Sequence, residues 1–108
     1  MRINDREVGF AWTTGAYVDY NDWVVKNMNS SSIRARVQRA VIMNEEYIRI
    51  HKDGTKPLTV GEIRDLPVYV TEELFALTEE IVKRDSKREV ETEEPKGKNA
   101  KSTAAKSS

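Results

Sequence analysis

The sequence predicts an α+β fold, mostly α: a short N-terminal β-hairpin packed on a small bundle of three main helices plus one short helix, then a disordered polar tail. Three observations carry this expectation. Apolar residues alternate through "REVGFAW", and they recur at helical spacing in three later segments. Beyond Val90, proline aside, no apolar residue larger than alanine remains. That last stretch buries too little surface to offset the entropy of ordering, so residues 1–90 read as one domain and 91–108 as a disordered tail. A chain of 108 residues has room for a single hydrophobic core.

In order along the chain, alternation puts Val8, Phe10 and Trp12 on one face of a strand, with "RIND" as its partner and Asn4 and Asp5 at the turn. Thr13 or Thr14 supplies an N-cap hydroxyl for a first helix over "GAYVDYNDWVVKNM". There Ala16, Tyr17, Tyr20, Trp23, Val24 and Met28 form a core-facing stripe, while Val18 and Val25 fall near the opposite side. "NSSS" stops that helix and caps a second, from about Ile33 to His51, which "KDGTKP" ends with a glycine and a proline. Ile33, Val37, Ala40, Val41, Asn44, Tyr47 and Ile48 share its inner face, so a buried Asn44 needs partners for its amide. Ile42, Met43 and Ile50 fall off that face. A capping box from Thr59 to Glu62 opens a short helix closed by Pro67. An extended "VYV" then leads to an N-cap at Thr71 and a last helix with Leu74, Phe75, Leu77, Ile81 and Val82 on one side.

Composition excludes several kinds of chemistry. With 18 basic and 18 acidic side chains, no global field favours nucleic acid or an anionic membrane. No cysteine is present, which removes disulfides and thiolate metal sites. The glycines are scattered singly, so no phosphate-binding loop appears and no cofactor is expected. The single histidine, His51, reads as a side chain placed favourably at a helix C-terminus, and Ser30–Ser32 read as caps. Nothing marks a nucleophile with its base, so the protein is not expected to be an enzyme. Charges in "MRINDREVGF" take the place of a signal peptide's apolar segment, and no apolar run spans a membrane, which points to the cytoplasm. Arg34, Arg36 and Arg39 spread around the second helix, as on a solvated helix rather than a nucleic-acid footprint. "LPVYVT" is too long and proline-bearing for the turn of a helix-turn-helix. The functional signal that remains is apolar surface off the core stripes: Val18, Val25 and Ile42, with Tyr17 and Trp23 at a stripe edge.

"INDREVGFAWTTGAYVDY" resembles the opening of tail assembly chaperones from long-tailed bacteriophages: a hairpin, a strand ending in an aromatic or apolar residue, and a Thr-x-Gly-Ala-like start of the first helix. "PLTVGEIRDLPVYVTEELFALTEEIVKRD" is similar to their second half. The resemblance implies a non-enzymatic protein that binds the tape measure protein before tail tube subunits polymerise around it and that is absent from the finished virion. It also implies homo-oligomers, with displacement by the tail tube protein. On that reading Val18, Val25, Ile42, Tyr17 and Trp23 are the candidate contacts, chosen from the helical projection and not from a family motif. The long second helix, with its arginines and Asn44, departs from the more uniformly apolar bundle expected of such proteins. Family members often have a longer form made by ribosomal frameshift. Gly97, Lys98 and Asn99 can be encoded with a slippery run, although composition favours a plain solvated linker there. The competing functional readings are a small phage-encoded nucleic-acid-binding regulator and a virion head-tail adaptor.

Overall fold

The structure, a computed structural model, describes residues 1–87. The tail expected over 91–108, the boundary drawn at residue 90 and the slip site at 97–99 lie outside the described residues. The hairpin is formed by β1 (Arg2–Ile3) and β2 (Arg6–Glu7), antiparallel, with Arg2 opposite Glu7 and Ile3 opposite Arg6. Its two-residue turn puts both Asn4 and Asp5 at positive φ, 51° and 65°, a conformation that matches strand twist and that Asn and Asp tolerate better than most residues.

Pairing ends with Val8, whose N–H donates to Met1 C=O at 2.7 Å, short of the full alternation, yet Val8 and Phe10 are buried and Trp12 packs on the core. The reason lies in where residues 9–11 send their backbone groups. Gly9 C=O accepts from Asn44 Nδ2 at 2.9 Å, and Ala11 N–H donates to Met43 C=O at 3.0 Å, so this segment runs against a helix instead of extending a sheet. A β-carbon at Gly9 would lie 2.4 Å from the Tyr47 ring, and the close approach therefore requires glycine.

Three longer helices and one short helix follow: α1 (Thr14–Lys26), α2 (Ser32–His51), α3 (Val60–Arg64) and α4 (Val68–Ser86). The first is capped by Thr13, whose hydroxyl accepts from Ala16 N–H at 3.2 Å and donates to the Glu46 carboxylate on α2. Ser31 caps α2 through Arg34 N–H at 3.2 Å. The other three helices all pack on α2. Fully buried Ala16 and Ala40 leave their backbones little side-chain bulk to keep apart, and Ile3, Met43, Leu58, Ile63 and Leu74 fill the centre.

Enclosure of α2 overturns two expectations. Residues 40–44 are buried without interruption, so Ile42 (7% exposed) and Met43 (0%) are interior and not off-face surface. A single apolar arc describes a helix covered from one side, whereas the middle of α2 is covered by several elements at once. Conversely, Tyr17, Met28 and Ile33, expected in core stripes, are exposed. Met28 lies past the end of α1 at Lys26, where the helical projection no longer applies.

Asn44 is buried with both polar atoms of its amide bonded: besides the bond to Gly9, its Oδ1 accepts from Leu58 N–H at 2.7 Å. Lys52, not Gly54, closes α2 in the left-handed conformation (φ 50°), with its N–H on Ile48 C=O. Half of the capping box forms. Thr59 Oγ1 accepts from Glu62 N–H at 3.0 Å, but the Glu62 carboxylate reaches Arg6 at 2.6 Å and Asn4 at 3.1 Å, pinning the hairpin to α3. "VYV" is not extended, and Thr71 is not a cap: α4 begins at Val68, with Pro67 in the N-cap position. The proline ring fixes φ near −59°, and Pro67 C=O accepts from Val70 N–H (3.0 Å) and Thr71 N–H (3.2 Å).

Candidate partner-binding surface

Helix α1 turns Ala16 inward and is held at its start by the Thr13–Glu46 hydrogen bond, which fixes what it shows to solvent. Its outer face carries Tyr17 (59% exposed), Val18 (49%) and Val25 (61%). At about 100° per residue these three fall within roughly 100° of arc, with Asn21 between them and Asp22 at the margin. A stripe of this kind on an outer face gains by being covered.

Tyr17 is not loose in this stripe. Its ring meets Trp12 edge-on at 5.9 Å between centroids, and Trp12 meets Tyr20 in the same way at 6.2 Å. Trp12 Nε1–H donates to Ser86 Oγ at 3.0 Å, tying the cluster to the end of α4. Trp23, expected as an edge contributor, is half-buried and lines a groove with Ile33, Val37 and Val60 on the other side of the helix. Of the five expected contacts, Tyr17, Val18 and Val25 come together, Trp23 points elsewhere, and Ile42 is withdrawn into the core.

A second apolar surface was not anticipated. Val68 (73% exposed) and Ile33 (61%) line a groove of about 410 Å³ between α2, α3 and α4, and Tyr69 (67%) is exposed on the same first turn of α4. Ile63, Leu66 and Phe75 contribute to its lining, with Arg36, Arg64 and Glu72 among the charged groups around it. The signal was present in "PVYVTEE": read as the start of a helix after proline, it places Val68 and Tyr69 on the same side as Glu72.

The charged groups have mostly structural tasks. Arg39 pairs with Glu79 of α4 at 2.6 Å and lies 6.0 Å from the centre of the Tyr20 ring, while Arg36 sits over the Phe75 ring at 5.8 Å. Glu46 is held well below its ordinary 4.5, at about 2, chiefly by hydrogen bonds from Arg49 and then by the Thr13 hydroxyl. His51 stacks on Tyr47 with centroids 4.1 Å apart and bonds through Nδ1 to Tyr47 C=O at 3.0 Å. Among the described residues no group of three or more His, Asp or Glu is placed to hold a metal ion.

Only Asp65–Pro67 separate α3 from α4, so the connection is as short as a helix-turn-helix uses, contrary to the expectation from "LPVYVT". The helix that would enter a groove of DNA, however, shows Val68, Tyr69, Glu72 and Glu73 at its exposed start, and acidic side chains repel phosphate. Among the described residues, no helix is long and apolar enough to cross a membrane.

The fold and its surfaces thus define a small helical protein with an N-terminal hairpin and two exposed apolar patches. Comparison with protein-family models, with curated proteins and with solved structures finds no match.

Proposed function

We propose that this protein is a non-enzymatic tail assembly chaperone of a long-tailed phage. It binds the apolar helical tape measure protein and keeps it dispersed in the host cytoplasm until tail tube subunits replace it, and it does not remain in the virion. The observation that carries this reading is the outer face of α1, where Tyr17, Val18 and Val25 are exposed within one arc that Asn21 interrupts. Support also comes from the resemblance of "INDREVGFAWTTGAYVDY" and "PLTVGEIRDLPVYVTEELFALTEEIVKRD" to such chaperones. Exposed valines with one aromatic anchor bind a partner modestly, and many copies along one long partner gain avidity while each contact stays displaceable.

Co-expression with the tape measure protein of the same genome tests the proposal. The chain should shift that protein from the pellet to the soluble fraction and be missing from purified particles by mass spectrometry. Stoichiometric presence in particles would instead favour a head-tail adaptor. A nucleic-acid regulator would show salt-dependent binding of duplex DNA, against which the acidic start of α4 argues.

A further inference from the structure

On the side of α1 away from Tyr17, Val18 and Val25 lies a groove of about 250 Å³. Its apolar walls are Trp23 of α1, Ile33 and Val37 of α2, and Val60 at the start of α3. The charges in its lining are of one sign, Arg34 on α2 and Arg64 on α3, and Gln38 is the remaining polar side chain. Among the described residues neither arginine has an ion-pair partner, whereas Arg6, Arg39, Arg49 and Arg84 are each committed to a carboxylate. Arg34 also lines a neighbouring cavity of about 380 Å³ at the α1–α2 loop, where Lys26 is the other charged group and Met28 is exposed. Asp19, Asp22 and Asp65 are close in sequence to these elements, but none of them lines either cavity.

Each of these features narrows the occupant. Cations around apolar walls, with no carboxylate in the lining, attract an anionic partner and repel a basic one, although the whole chain is neutral. The groove is smaller than the roughly 300–1,000 Å³ of small-molecule sites, so one apolar side chain carried by a longer chain fits it better than a cofactor does. Nucleic acid is disfavoured: three cations neutralise few phosphates, and the single ring in the lining, Trp23, is half-buried, which leaves no platform for successive bases. We propose that this groove docks an acidic peptide segment of a separate protein. An aliphatic or aromatic side chain of that segment enters between Trp23, Ile33, Val37 and Val60, and carboxylates on either side of it meet Arg34 and Arg64. The site does not depend on the chaperone reading, since peptide selectivity decides it and tape measure capture by the α1 face decides the other.

Panning a library of random short peptides against the full chain provides the test. Enriched sequences should place a Leu, Ile, Phe or Trp among two or more Asp or Glu. A fluorescein-labelled peptide of the most enriched sequence should bind in an anisotropy titration, with an affinity that falls as salt rises. Arg34→Ala/Arg64→Ala should weaken that binding at least tenfold, and Arg34→Lys/Arg64→Lys should restore most of it. Both side chains are exposed, and the bond from Arg34 N–H to Ser31 that caps α2 is a main-chain one, so the helices should survive the change. Ile33→Ser, also at an exposed position, should weaken binding several-fold, which a site for bare anions would not show. If the alanine pair loses its helical circular dichroism, Ile33→Ser and the salt dependence decide in its place. A library that enriches no acidic sequence, or a peptide that binds Arg34→Ala/Arg64→Ala like the wild type, would overturn the proposal. So would displacement of the peptide by an oligonucleotide, or a dimer of this chain that the alanine pair abolishes. A tenfold gain in peptide affinity on Glu91→Gln/Glu93→Gln/Glu94→Gln would give the groove to this chain's own acidic segment, and a separate partner would then be excluded.

Discussion

At the scale of single residues, Asn44 shows how a polar group specifies a fold. Its amide donates to Gly9 and accepts from Leu58, joining the segment after the hairpin, α2 and the loop before α3. Asn44→Leu removes both bonds and strands two main-chain groups, each worth about 1–3 kcal/mol, so we expect a loss on the order of 2–4 kcal/mol in urea unfolding. Its position in the centre of an apolar arc was legible in the sequence, as was its need for partners. Their identity was not, because Gly9 is 35 residues away and nothing local marks it. Ile42 was misplaced for a related reason: helical periodicity reports one covered face, and α2 is covered from several directions. Glu46 allows a test by pH. Its carboxyl is held down from 4.5 to about 2 by Arg49 and the Thr13 hydroxyl, so it contributes stability that is complete above about pH 4.5 and is lost as pH falls toward 2. The stability difference between wild type and Glu46→Gln should therefore shrink from pH 5 to pH 2. A constant difference would contradict this role for the Thr13–Glu46–Arg49 contact.

At the scale of elements, chain ends and caps decide more than stripes do. Thr13, Ser31 and Thr59 cap three helices through side-chain oxygens, as Thr and Ser before apolar periodicity led one to expect. The stop of α2 was harder to place. Gly54 looks like the residue suited to the left-handed position, but Lys52 occupies it at φ 50°, and the Asp53 side chain then accepts from Thr55 N–H at 2.9 Å. A β-carbon is disfavoured in that conformation, so Lys52→Gly should stabilise the protein by about 0.5–1 kcal/mol and raise its melting temperature by several degrees. The proline that closes α3 also opens α4, because its ring disfavours helix in the residue before it and not in those after it. Pro67 in fact pre-sets the backbone for the helix that follows. That shift of four residues, from Thr71 to Pro67 as N-cap, turned an expected strand-like linker into the first turn of α4, where Val68 and Tyr69 are exposed.

At the scale of the molecule, α2 is a spine that carries the hairpin segment and three other helices, and it leaves two apolar patches at separate places. Val18 and Val25 were legible as surface because they oppose the core stripe of a helix packed from one side. The α2/α3/α4 patch was not, because it is assembled from three elements whose relative placement no local pattern records. The functional account assigns the α1 face to an apolar helical partner, and its most direct test is a binding measurement with the tape measure protein. Val18→Asp/Val25→Asp should reduce capture of that protein at least tenfold relative to wild type, with unchanged circular dichroism, since both positions are exposed and the helix tolerates Asp nearly as well as Val. Capture by the double variant at the wild-type level would contradict the assignment of this face.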